Sequence, residues 1–210
     1  MKKVVTLGTT LLMGIALVGC GNKNTSSSKG SSSSTSKKVS GPLTKVGTYT
    51  KDSTSGKTTL MAIKNYHNKV IKTKSATYYF KEAKLLKTET TKKSQRDDDE
   101  TNFGKTLSNT YYEYQLEYSL ENNSKKRVSS NGVELITPSG EQLSSNHGAM
   151  DELVGDKIQS GTKKTGVLQA VAKKSDITKM KQYKFVSAEL VEDSGDYNRV
   201  DNQTTINFNK

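Results

Sequence analysis

From Tyr112 to Leu120 the chain alternates by residue type without a break. Tyr112, Tyr114, Leu116, Tyr118 and Leu120 share one parity; Glu113, Gln115, Glu117 and Ser119 share the other. Successive side chains of a strand point to opposite faces, so this period of two describes one face turned to a core and one turned to water. The pattern puts Tyr114, Leu116 and Tyr118 inside and Glu113, Gln115 and Glu117 outside. Tyr111 falls on the outward parity. Residues 121–124, Glu-Asn-Asn-Ser, then end the strand with turn formers.

Shorter segments of the same texture follow. Residues 132–137 hold Val133, Leu135 and Ile136, and Pro138-Ser139-Gly140 turns the chain behind them. Residues 166–172 are apolar on both faces. Residues 183–191 and 204–208 complete the series. Upstream, residues 60–66 and 70–73 read as a hairpin around Asn68. Residues 76–89 read as a long strand whose apolar parity slips between Phe80 and Ala83, the mark of a bulge. No segment sustains a helical period; residues 149–154 offer one or two turns at most. Short strands at turn-marked spacing predict an all-β fold, a sandwich or a barrel. The chain has no Trp and a single cysteine, Cys20, so no disulfide forms within it and tyrosines must fill the core.

The N-terminus carries a different signal. Lys2 and Lys3 precede residues 4–18, which bear no charge. A membrane-spanning helix needs about 20 apolar residues, and this run is shorter and leads straight into polar sequence. A basic start, a short apolar run and small residues at its end read as a secretory signal peptide. The run closes on Leu17-Val18-Gly19-Cys20, which resembles the lipobox of bacterial lipoproteins. The resemblance implies that residues 1–19 are removed, that the Cys20 thiol carries diacylglycerol, and that the new amine is acylated with a fatty acid such as palmitate. It implies a protein held by lipid on the extracellular face of the cell membrane. Two or more acyl chains anchor firmly, because each buried methylene adds about 0.8 kcal/mol.

Residues 20–42 then form the lipidated Cys20 and a Ser/Lys-rich flexible linker, too poor in apolar surface to offset ordering entropy. Residues 43–75 are expected to be an N-terminal extension containing a β-hairpin, and residues 76–210 the main domain. The net charge of the chain is +12; Lys2 and Lys3 leave with the leader, and Lys23, Lys29, Lys37 and Lys38 place +4 on the linker. The remaining excess admits anionic cell-wall polymers as partners, beside the membrane lipid held through Cys20 and another envelope protein. An extracellular address excludes nucleic acid. A solvated lysine-rich surface accounts for the same sum.

Three passages resemble the Ig-like extracellular lipoprotein domains of Gram-positive bacteria, a family of largely unknown function. They are residues 77–87, residues 114–124 continuing through 133–140, and the glycine-marked approach 160–171. The resemblance covers roughly residues 76–208 and implies an immunoglobulin-like β-sandwich. Residues 43–75 fall outside it.

The chemistry-bearing side chains are few. His67 and His147 are the only histidines, one expected in a turn and the other in a loop. Without further Cys or His they do not make a zinc site. No Gly-x-Ser-x-Gly elbow supports a Ser-His-Asp triad, and no glycine-rich phosphate loop is present. Asp97, Asp98, Asp99 and Glu100 form the sharpest acidic run. It lacks the alternate acids and central Gly of an EF-hand and reads as a solvated loop rather than a calcium site. Lys125, Lys126 and Arg127 follow a turn and read as a basic hairpin tip, with polyanion contact as the alternative. No cofactor is implied. These observations favour a non-catalytic binding or interaction module at the cell envelope. An immunity lipoprotein of the phage-resistance kind or a structural lipoprotein is the first alternative, and an enzyme acting on wall polymers the second.

Overall fold

The computed structural model describes residues 36–53, 56–194 and 198–208. Residues 1–19, read from the sequence as a leader, and Cys20 lie outside the described residues. Among the described residues fifteen strands and one α-helix follow in the order β1 (Lys37–Lys38), β2 (Thr48–Asp52), β3 (Gly56–Lys72), β4 (Ala76–Glu89), α1 (Lys93–Phe103), β5 (Thr110–Asn122), β6 (Val128–Ser130), β7 (Glu134–Ile136), β8 (Gln142–Ser145), β9 (Gly148–Asp151), β10 (Lys157–Ile158), β11 (Lys163–Ala172), β12 (Lys184–Val186), β13 (Leu190–Glu192), β14 (Arg199–Asp201) and β15 (Thr205–Asn207). The chain is therefore all-β in class, with one short helix.

The strands form one large curled sheet, ordered β1-β2-β3-β4-β5-β11-β9-β8-β7-β12-β15, and a second sheet ordered β10-β6-β13-β14. Pairing is antiparallel except at β1/β2 and β8/β9. The alternating segment is the middle of β5, which pairs with β4 from Ala76↔Asn122 to Glu89↔Thr110 and with β11 from Lys163↔Glu121 to Ala172↔Tyr112. The slip of parity in β4 is a bulge between Phe80 and Glu82.

Tyr114, Leu116, Tyr118 and Leu120 are fully buried, with Tyr78, Phe80 and Leu85 of β4 and Leu168 and Ala170 of β11 beside them. The second sheet supplies Val128, Ile158 and Leu190 from the opposite side. The curl brings Phe185 of β12 onto the same layer, its ring 4.8 Å from Phe80, 5.3 Å from Tyr78 and 5.7 Å from Tyr118. Edge-to-face packing of this kind suits the ring quadrupoles. The buried phenols all have partners: Tyr118 on Asp151, Tyr183 on Asp176, Tyr66 with Tyr114, and Tyr78 accepting from the Ala188 amide. Each such partner is necessary, because an unpaired buried hydroxyl costs about 1–3 kcal/mol.

Several sequence expectations are corrected. Residues 60–73 do not form a hairpin around Asn68. Residues 60–72 belong to the single strand β3, which bulges between Asn65 and Lys69 with His67 and Asn68 in the left-handed region, and the chain turns instead after Asp52 and Lys72. Residues 183–191 are two strands in different sheets, because Ser187–Glu189 carries the chain from β12 to β13. Residues 149–154 are the end of β9 and a turn, not helix. The linker expected through residue 42 is partly folded: Lys37 and Lys38 pair with Thr48 and Tyr49, and Val39 packs against Leu43, Leu60 and Leu86.

The helix was not foreseen, and α1 shows why: Phe103 is its one buried residue, so no apolar stripe marks it. It is held by Lys93–Asp97 and Arg96–Glu100 pairs one turn apart and by a left-handed Gly104 cap at φ 59°. It covers one end of the outer face of the large sheet. Phe103 and Leu107 there bury Tyr111, which the parity had placed outside. Glu113, also expected outside, is buried on that same face. An outward parity means solvent only where no other element lies on top.

Candidate functional site

The large sheet has one face on the core and one outer face. The N-terminal segment and α1 cover the outer face where Leu60, Leu86 and Tyr111 lie. Further along the same strands, Tyr79, Lys81, Glu117, Ser119 and Glu121 on that face remain partly or fully exposed. A polar groove of about 300 Å³ opens there.

Register fixes its layout. Tyr79 of β4 stands opposite Ser119 of β5, which stands opposite Thr165 of β11; one row on, Glu121 faces Lys163. Ser119 Oγ and Thr165 Oγ1 lie 2.7 Å apart. Tyr79 Oη donates to Glu121 Oε2 at 2.5 Å, which fixes the ring in the groove and raises the phenol pKa. The Lys163 ammonium sits 4.7 Å from the centre of that ring rather than on a carboxylate. At an exposed site such a contact contributes about 0.5–1 kcal/mol. Lys81, at the β4 bulge, donates to Glu117 at 2.8 Å, a pair that raises the lysine pKa. Asn68 closes one rim. It and His67 hold φ values of 56° and 52° in the bulge of β3. Two adjacent left-handed residues that are not glycine cost backbone strain, which Asn and His bear better than most.

Chemically the groove offers two ammonium groups, one carboxylate, one carboxamide, two hydroxyls and an aromatic face. Small-ligand sites are mostly apolar with a few polar groups; this one is mostly polar, so a ligand that fits it must be polar too.

The residues singled out in the sequence lie elsewhere. Asp97, Asp98, Asp99 and Glu100 are in α1, where each residue turns about 100° from the last, so the four carboxylates fan out. Asp97 takes Lys93, Asp99 accepts from Tyr111 Oη at 3.0 Å, and Glu100 accepts from the Leu107 amide at 2.9 Å. Among the described residues no group of three acidic, His or Cys side chains gathers to hold a metal. Of the basic tip, Lys126 pairs with Glu192, while Arg127 and Lys157 share Asp193. His67, expected in a turn, lies instead in the bulge of β3, and His147 lies in the connection between β8 and β9.

Buried acids were missed, Glu113 among them. Glu113 stands across from Leu86 and Val171. It is 7% exposed and accepts from Gln115 Nε2 at 2.7 Å. Burial, with Asp99 nearby, pushes its carboxyl up to about 7. The groove itself had one legible signal: Glu117 and Ser119 fall on the outward parity of the alternating strand, while Tyr79 and Lys81 lie in a segment read as a strand and Lys163 and Thr165 in the approach to another.

No protein-family model matches the chain, and no curated protein matches it. Solved structures similar to it include two proteins. A functionally unknown protein from Listeria monocytogenes is 13% identical, with 72% of this chain and 87% of that one covered and a TM-score of 0.44. The yjhA protein from Bacillus subtilis is 20% identical, with 66% of this chain and 95% of that one covered and a TM-score of 0.46.

Proposed function

We propose that the chain is a lipoprotein held at the extracellular face of the cell membrane through Cys20, and that its folded part is a non-catalytic, immunoglobulin-like binding module. The lipobox-like Leu17-Val18-Gly19-Cys20 supports the anchor. Two sheets enclosing one aromatic-rich core support the immunoglobulin-like reading. The observation that carries the binding role is the groove over Tyr79. Elsewhere on the same outer face, α1 and the N-terminal segment cover the sheet around Leu60, Leu86 and Tyr111. This stretch is left open, polar and shaped, with a strained bulge at its rim. Among the described residues no helix is long and apolar enough to cross a membrane.

Retention of the full chain on purified cell envelopes tests the reading, with Tyr79→Ala and Lys163→Gln as groove variants and Lys125→Gln as the control. Loss of retention in the groove variants alone is expected. Equal retention of all forms would show that the groove recognises nothing there. Fatty-acid labelling tests the anchor: Cys20→Ala is expected to take up no label.

A further inference from the structure

We propose that the groove ligand is a polyol phosphate, a chain of hydroxylated carbons joined through phosphodiesters, with Lys163 as the cation that engages the phosphate. The proposal rests on the binding role given to the groove above and names the chemistry that role would recognise.

The argument starts from how the two lysines of the groove are occupied. Lys81 is committed to Glu117 at 2.8 Å. Lys163 has its ammonium on the Tyr79 ring, 4.7 Å from the centroid. A cation held only by a ring in water is weakly held, and a phosphate oxygen is the stronger partner. An arriving anion therefore draws Lys163 off the ring. The same movement uncovers the ring face, which Glu121 keeps in place through the phenol. A face so exposed packs against C–H groups of the ligand. One displacement creates both the charged and the apolar contact.

The remaining groups select for hydroxyls. Ser119 and Thr165 both donate and accept, Glu117 accepts, and the Asn68 carboxamide does both. An inorganic phosphate would leave most of them unused, and a neutral sugar would leave Lys163 on its ring. A volume near 300 Å³ sits at the small end of ligand sites, which suits one or two repeat units of a longer chain lying along an open groove.

The test uses the full chain and a soluble glycerol-phosphate oligomer, with inorganic phosphate, a neutral disaccharide and phosphatidylglycerol vesicles as comparisons. Titration calorimetry reads affinity, and the ring resonances of Tyr79 read the displacement of Lys163. Binding of the oligomer is expected, with a shift at Tyr79. Lys163→Gln should weaken it by about tenfold or more, the size of one charge-assisted hydrogen bond; Lys163→Arg should restore most of it; Lys125→Gln should leave it unchanged. Folding of each variant is checked by its melting curve. Undiminished binding by Lys163→Gln, equal binding of the neutral disaccharide, or binding to vesicles but not to the oligomer would each overturn the proposal. If envelopes retain the protein through the groove and the oligomer does not bind, the ligand class is wrong and the binding role stands.

Discussion

Tyr118 Oη donates to both carboxylate oxygens of Asp151, at 2.8 and 3.0 Å, inside the core. The same carboxylate accepts from the Val133 amide at 2.8 Å and the Leu153 amide at 3.2 Å. One acid thus ties β5 to the approach to β7 and to the turn after β9. Burial raises its pKa, and the donors around it oppose the rise.

Asp151→Ala is therefore expected to cost about 2–5 kcal/mol, since it leaves a buried phenol and two amides without their acceptor. Tyr118→Phe should cost less, about 1–2 kcal/mol, because the two amides keep theirs. Urea denaturation of both variants checks the order. A smaller loss in Asp151→Ala than in Tyr118→Phe would show that the acid is not the hub.

Glu113 makes stability depend on pH in a defined direction. Its ordinary value is 4.5 and its folded value about 7, with burial the main cause. The folded state therefore binds the proton more tightly than the unfolded chain, and stability falls as pH rises from about 4.5 to about 7. The full effect is on the order of 3 kcal/mol. Gln115 and Asp99, the groups that face it, stay in place in Glu113→Gln, which should flatten this part of the profile and be more stable than the wild type at pH 8. Melting temperatures from pH 4 to 8 test it; parallel profiles for the two proteins would count against a buried ionisation.

Gly104 ends α1 in the left-handed region, and a Cβ built on it would lie 1.9 Å from the Asn146 carbonyl oxygen. Gly104→Ala meets both a backbone penalty and a clash with backbone that has little freedom to move, so a loss of about 2 kcal/mol or more is expected. The loss should loosen α1 first, since Phe103 is the only side chain it buries. Faster proteolysis within residues 93–105, with the β core still protected from hydrogen exchange, is the expected signature. Uniform loss of protection would instead place α1 within the cooperative core.

Alternation alone established the all-β class, the inward face of β5 and the bulge in β4, because those features are local: a period of two is written in neighbouring residues. The need for tyrosines in the core was legible in the same way, from the absence of Trp. Tyr111 and Glu113 were misplaced because burial of an outward face depends on what lies over it. The covering element, α1, carries no apolar stripe. Residues 183–191 read as one strand because an apolar run does not say where the chain changes sheets. The groove was decided by register, which placed Tyr79 of β4 and Lys163 of β11 two strands apart on one face. No spacing along the chain relates positions 79 and 163; only the pairing of both strands with β5 brings them together.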